Sequence, residues 1–271
     1  MPVRKPFALA NWKMAMTLAE TDDFLRRFLP RARNAIDVVE TVICPPCTAI
    51  ARVASAVSGT PVQVGAQNIH VGPEETFTGE VSAPLVFEAG ARWVMLGHWE
   101  RRRHFGETDD LVSRKVEAAH AAGLRPILMV GEPSDRSVKA DVHLPAQLER
   151  LLANCAAEDV ARMVIVYEPE EAVGAPQPIA PRRAWRGCAL IRTWVWAYFG
   201  EQAAQSIRVI YGGAVAPEHA ARLLGHPDVD GLGVGRKGRE PITFATIIYQ
   251  IALAKGSGQI DWQSALFEPP E

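Results

Sequence analysis

No apolar run in this chain approaches the roughly 18 residues that a membrane-crossing helix needs. The opening stretch, MPVRKPFALANWK, also lacks the anatomy of a secretory signal. A soluble, cytoplasmic protein is expected. There is no excess of charge either: 29 lysines and arginines face 31 aspartates and glutamates, a formal net charge of -2. That balance argues against a general nucleic-acid binder and leaves room for a small positive cluster that holds a small anion. Cysteine is scarce, with four in 271 residues. Cys44-Pro45-Pro46-Cys47 has the spacing of zinc and redox sites, but a structural zinc site needs four ligands, and Cys155 and Cys188 are single and far apart. Two prolines that end a strand also differ from the helix-starting dipeptide of thioredoxin-like chemistry. Buried or capping thiols in a reducing compartment are expected, and no metal.

What the chain has is apolar residues, 48% of the total, in short runs. They fall at Phe7 to Ala10, Glu40 to Cys44, Val62 to Ala66, Trp93 to Gly97, Pro126 to Val130, Met163 to Tyr167, Ile207 to Tyr211 and Gly231 to Val234. Near-continuous apolar character marks strands covered on both faces, and the stretches between them are long enough for crossover helices. An α/β fold of the (β/α)8 barrel type, as one domain over residues 1–255, accounts for this count and size. A doubly wound open sheet is the alternative. Thr108-Asp109-Asp110 opens a helix over Leu111 to Ala122 that Gly123 stops. Ala184 to Phe199 carries Trp185, Trp194, Trp196, Tyr198 and Phe199, which without basic density reads as helix packing, not as a stacking platform for bases. Gly231-Leu232-Gly233-Val234-Gly235 imitates a dinucleotide fingerprint but has no following βαβ unit. Residues 256–271 read as a C-terminal tail.

Three stretches end apolar runs and bring chemistry with them: Asn11-Trp12-Lys13, Leu96-Gly97-His98 and Tyr167-Glu168-Pro169. Strand ends of a parallel barrel share one mouth, so an amine, an imidazole and a carboxylate converge there, a set suited to proton transfer beside a carbonyl. Such a reaction needs a base for a carbon-bound proton, an electrophile at the carbonyl oxygen and a clamp for the charged tail of the substrate.

These stretches, together with Gly65-Ala66-Gln67-Asn68, Phe77 to Ser82, Glu100-Arg101-Arg102, Val130-Gly131-Glu132, Tyr211-Gly212-Gly213 and Asp230-Gly231, run in the order found in the triosephosphate isomerase family, which the chain resembles over nearly its whole length. The resemblance implies a TIM barrel that interconverts dihydroxyacetone phosphate and glyceraldehyde 3-phosphate through an enediolate, in glycolysis and gluconeogenesis, with no cofactor. It implies Glu168 as base, His98 as a neutral electrophile, Lys13 as the positive field, Asn11 holding the lysine or the oxygens, and Glu100 close to lysine and substrate. Glu100 could equally pair with the Arg101 to Arg103 run, read as a solvated or dimer-facing cluster. Pro169 to Ala180 corresponds to a lid that keeps water from the intermediate. Gly174, Gly212, Gly213 and Gly235 would offer main-chain N–H groups to phosphate. A two-fold homodimer is implied through the loop from Gln67 to Ser82, with Thr78 reaching toward the neighbour's Asn11 and Lys13.

Departures from the family pattern cluster at the site. Ala214 stands where a serine hydroxyl is usual and Arg236 replaces a glycine, so that a charge-assisted contact to phosphate could offset the lost one. Trp99 replaces a serine that can hold the base when the lid is open; its indole N–H could do likewise, or its bulk could reshape the pocket. Glu171 replaces a lid tryptophan whose partner is the carboxylate matching Glu132. Two carboxylates cannot hydrogen-bond unless one is protonated, so the open lid would rest differently. Pro176 and Pro178 stiffen the far hinge, from which slower or incomplete closure follows. Because the departures surround substrate and lid, a four-carbon substrate such as an erythrulose phosphate is an alternative. A non-catalytic sugar-phosphate binder is another, of a different class.

Overall fold

The computed structural model describes residues 4–72, 77–135 and 137–256. The tail expected beyond residue 256, and part of the loop from Gln67 to Ser82, lie outside the described residues. Eight parallel strands close in sequence order into a barrel, β8 pairing back onto β1. They are β1 (Phe7–Asn11), β2 (Glu40–Cys44), β3 (Gln63–Ala66), β4 (Trp93–Leu96), β5 (Arg125–Val130), β6 (Val164–Tyr167), β7 (Arg208–Gly213) and β8 (Gly231–Val234). Around them lie α1 (Leu18–Ile36), α2 (Ile50–Ala56), α3 (Ala83–Glu88), α4 (Trp99–Phe105), α5 (Asp109–Ala121), α6 (Ala140–Leu151), α7 (Ala157–Arg162), α8 (Pro181–Ser206), α9 (Pro217–Leu223) and α10 (Pro241–Lys255). This is the expected (β/α)8 TIM barrel, a single domain, and the open sheet is set aside. β7 runs on through Gly212 and Gly213, which pair in the ladder with Gly233 and Val234 without showing an apolar side chain to the sequence reader.

The strands are apolar on both faces because each face has its own core. Phe7, Leu9, Trp93, Met95, Val164 and Val166 point into the barrel, while alternate residues such as Ala8, Ala10, Val94 and Ile165 pack against the helices. The period of two then decides what stands at the mouth. Asn11 follows Phe7 and Leu9, and Glu168 follows Val164 and Val166, on the inward stripe. The opposite mouth is plugged: Arg208 lies against the rings of Phe7 and Trp93 at 5.8 and 5.7 Å and pairs with the buried Glu40 at 3.4 Å.

Several elements carry the expected local signals. Thr108 caps α5 by accepting the N–H of Leu111, and Gly123 follows the last turn with φ 77°. α8 runs past the expected Phe199 to Ser206, with a break at Gly200, where φ is 85°. Its aromatic residues are divided: Trp194 is buried, with Tyr198 stacked on it at 4.3 Å, while Trp196 and Tyr198 are exposed, so helix packing accounts for only part of the stripe. The CPPC cysteines also part company. Cys44 is buried inside the barrel, where burial pushes its thiol up, and Cys47 is exposed at the start of a turn. Among the described residues no helix is long and apolar enough to cross a membrane.

Candidate active site

The open mouth holds a cavity of about 720 Å³ whose wall includes Asn11, Lys13, His98, Glu100 and Glu168. Gly174, Gly213, Ala214, Gly235 and Arg236 line the same space, so all of the residues singled out for catalysis and phosphate meet in one place. Its floor is apolar, formed by Leu9, Met95, Met129 and Val166.

Lys13 sits beyond the end of β1 in a left-handed conformation, φ 53°, which side chains other than glycine adopt at a cost of roughly 1 kcal/mol or more. Its neighbours hold it there. Asn11 Oδ1 accepts the main-chain N–H of Lys13 at 2.9 Å, and Gln67 Nε2 donates to the Lys13 carbonyl at 2.8 Å and to that of Cys44 at 3.0 Å. The fully buried indole of Trp12 ties the segment to the carbonyl of Gly238 at 3.0 Å. Asn11 thus grips the lysine's backbone, and the ammonium itself pairs with Glu100 at 2.5 Å. Although burial opposes charge on Glu100, the hydrogen bond from Lys13 holds its carboxyl below the usual range. Glu100 is therefore a partner of Lys13 and not of the arginines that follow it. Arg101 pairs with Glu107 at 2.5 Å, Arg102 with Asp109 at 2.7 Å, and Arg103 with Glu170 of the lid at 2.6 Å. Each arginine has its own intramolecular partner, and Arg103 is also half exposed, whereas Arg102 is mostly buried.

His98 caps the N-terminus of α4. Its Nδ1 accepts the N–H of Glu100 at 3.1 Å, which requires a lone pair on that nitrogen and leaves the proton on Nε2. Nε2 faces Glu168 Oε2 at 3.4 Å. The helix that His98 caps thus aims Nε2 into the cavity.

Glu168 is held by its backbone and free at its tip. Its N–H donates to the Val130 carbonyl at 2.8 Å, and its carbonyl accepts the indole N–H of Trp99 at 3.0 Å. Trp99 therefore does not hold the carboxylate, as a substitute for serine would, but fixes the main chain behind it. Oε2 is buried and has no hydrogen-bond partner. A buried acceptor without a partner is costly, and one aimed into a cavity is poised for a proton that the substrate brings.

Residues 172–176, within the segment expected to be a lid, line the mouth. Ala172 and the peptide of Ile179 pack at the end of β7, where Tyr211 accepts the N–H of Ile179 at 3.2 Å. Gly213, with φ 144°, makes room, since a Cβ there would stand 2.6 Å from the Tyr211 hydroxyl and 3.1 Å from the methyl of Ala172. Gly174 and Pro176 face the cavity, and Arg236 reaches over to the carbonyl of Gly174 at 3.2 Å. At the lid's base Glu132 and Glu171 are not in contention, because Arg183 stands between them, bonding Glu132 at 2.6 Å and also pairing with Glu171. Sequence reading missed Gln67, Arg103 and Arg183 as site residues, together with His219 and Arg239 at the outer rim. Gln67 lies within a quoted motif; Arg183 could have been sought as the cation that Glu171 demands. Among the described residues no group of histidine, cysteine, aspartate and glutamate is placed to hold a metal ion.

A family model described as Triosephosphate isomerase matches residues 6–251. A protein named triosephosphate isomerase from Symbiobacterium thermophilum is 44% identical over 255 residues, 93% of this chain and 99% of that protein. Its counterparts in Solibacter usitatus and Chloroflexus aurantiacus are 40% and 38% identical, each over 91% of this chain and 99% of their own length.

Proposed function

The chain belongs to the triosephosphate isomerase family, and we propose that Glu168, His98 and Lys13 carry out the reaction this membership entails. That reaction interconverts dihydroxyacetone phosphate and glyceraldehyde 3-phosphate. Glu168 removes the proton from the carbon beside the carbonyl and returns it to the neighbouring carbon. Nε2–H of His98 donates to the oxygen on which charge develops, and the Lys13 ammonium, kept in place by Glu100, stabilises the enediolate. Asn11 serves by fixing the backbone of Lys13. Phosphate is held by main-chain N–H groups of Gly174, Gly213 and Gly235, with the guanidinium of Arg236 supplying what the methyl of Ala214 cannot.

One observation carries this reading: the unpaired, buried Oε2 of Glu168 lies 3.4 Å from Nε2 of His98 in the cavity that Lys13 also lines. Exchange of the substrate's carbon-bound proton for solvent deuterium tests it. Glu168→Gln is expected to lose roughly 10²- to 10⁴-fold in rate, the usual contribution of a positioned base. A variant that works at full speed, or a wild type that binds sugar phosphate without exchange, overturns it. Turnover of triose and tetrulose phosphates measured side by side checks the chain length of the substrate.

A homodimer through the loop from Gln67 to Ser82 is part of the proposal. Its support is exposed apolar surface in that loop and beside Lys13, namely Phe77 at 51% and Met14 at 99% exposure. We also propose a cytoplasmic protein whose barrel domain ends near residue 255.

A further inference from the structure

Two carboxylates meet at the base of the lid and share one arginine. Glu132, in the loop after β5, is buried and accepts the Tyr167 hydroxyl on both oxygens, at 3.0 and 3.1 Å. It also pairs with Arg183 at 2.6 Å. The other arm of that guanidinium pairs with Glu171 in the first turn of the lid. Arg183 is the third residue of α8, which begins where the lid ends, so the bridge runs across the lid's base from one hinge to the other. Glu170 turns the other way, to the N–H of Ser134 at 2.7 Å and to Arg103.

We infer that Arg183 is a positioning residue for the isomerase reaction: it pins the closed lid by joining Glu132 of the barrel to Glu171 of the lid, a role that rests on the function proposed above. A planar guanidinium with donors on two edges satisfies two carboxylates that would repel each other without it. The two halves of the bridge differ in kind. Glu132 has 4% of its side chain exposed and Glu171 has 41%, so the Glu132 pair is the permanent anchor and the Glu171 pair the one that parts. When the lid lifts, Arg183 stays with Glu132. No buried charge is stranded, and within the bridge opening separates only a solvent-accessible pair. A second cavity, of about 680 Å³ and lined by Glu171, Arg183 and Arg186, lies behind the bridge and gives Glu171 room to withdraw. Three residues beyond Glu171 comes Gly174, whose N–H is to hold phosphate, so a lid pinned at its base keeps that amide over the substrate.

A lid that fails to close leaves a chemical trace. In an exposed enediolate, one oxygen re-forms a carbonyl, the electron pair moves to make a double bond to the phosphate-bearing carbon, and phosphate leaves with the electrons of the broken C–O bond. The enol left behind takes a proton on carbon and becomes 2-oxopropanal. The test measures inorganic phosphate and 2-oxopropanal released per isomerisation of dihydroxyacetone phosphate in wild type, Arg183→Gln, Glu171→Ala and the double variant. Arg183→Gln also disturbs Glu132, so Glu171→Ala, which leaves the Arg183–Glu132 pair in place, is the deciding variant. Expected is a rise in the elimination share of about threefold to tenfold in Glu171→Ala, with unchanged melting temperature, and no further rise when Glu171→Ala is added to Arg183→Gln. A Glu171→Ala enzyme that partitions as wild type does overturns the bridge alone. A wild type that does not turn over triose phosphate overturns the bridge and the isomerase reading together.

Discussion

Whether Glu168 can act as the proposed base depends on a methyl group that is absent one strand away. A Cβ at Gly131, just past β5, would lie 2.2 Å from the carbonyl oxygen of Glu168 and 2.8 Å from the Cα of Pro169. Gly131→Ala must therefore push Glu168, the proposed base, out of line. Misplacement by about 1 Å costs on the order of a hundredfold in rate, so kcat is expected to fall by about that factor with KM little changed, and steady-state kinetics reads it directly. Arg236 bears on the other term. A charge-assisted hydrogen bond contributes roughly 1.5 to 3 kcal/mol, and Arg236→Gly should raise KM for a phosphorylated substrate roughly tenfold or more. An unchanged KM would leave phosphate to the main-chain amides alone.

Helices α4 and α5 show how whole elements are locked behind these residues. Glu107, between them, is buried and takes Arg101 from α4 and Lys115 from α5, and Lys115 also donates to Asn68, beyond β3, at 2.9 Å. Burial alone would raise the Glu107 carboxyl, but the hydrogen bonds from Lys115 and Arg101 hold it below its ordinary value of 4.5. A depressed carboxylate stabilises the fold fully above its unfolded value. That contribution is lost as pH falls from about 4.5 through the lower folded value. Glu107→Gln leaves the fully buried Lys115 without its ion-pair partner, and about 3 to 5 kcal/mol of unfolding free energy should disappear near neutral pH. Urea unfolding at a series of pH values checks both claims, since the variant should also show a shallower loss below pH of about 4.5. Because His98 caps α4, which carries Trp99 and Arg103, loosening this helix should lower activity before it unfolds the barrel.

At the scale of the whole molecule, one mouth is plugged by Arg208 between aromatic rings and the other opens on the cavity of the proposed reaction. Met14, almost fully exposed and next to Lys13, lies where the proposed partner subunit would pack. Met14→Glu is expected to shift sedimentation toward monomer and to lower kcat, because the left-handed turn at Lys13 would lose its outer support. An active wild-type monomer at all concentrations would remove the dimer from this account.

The alternation of short apolar runs with crossover segments was enough to read the barrel, because strands buried on both faces must be apolar at every position. The placement of Asn11, His98 and Glu168 was legible for the same reason: each directly follows such a run and inherits its direction. Charge pairing was not. Arg183 lies 51 residues from Glu132, and Glu170 lies 67 from Arg103, and nothing in the local pattern of a helix surface names a partner so far along the chain. The conflict between Glu132 and Glu171 was visible in the sequence, but its resolution, like the grip of Trp99 on the main chain instead of the carboxylate, had to wait for tertiary structure. Hydrophobic period is a property of consecutive residues, whereas an ion pair is decided by which loops the closed barrel brings within a few ångströms.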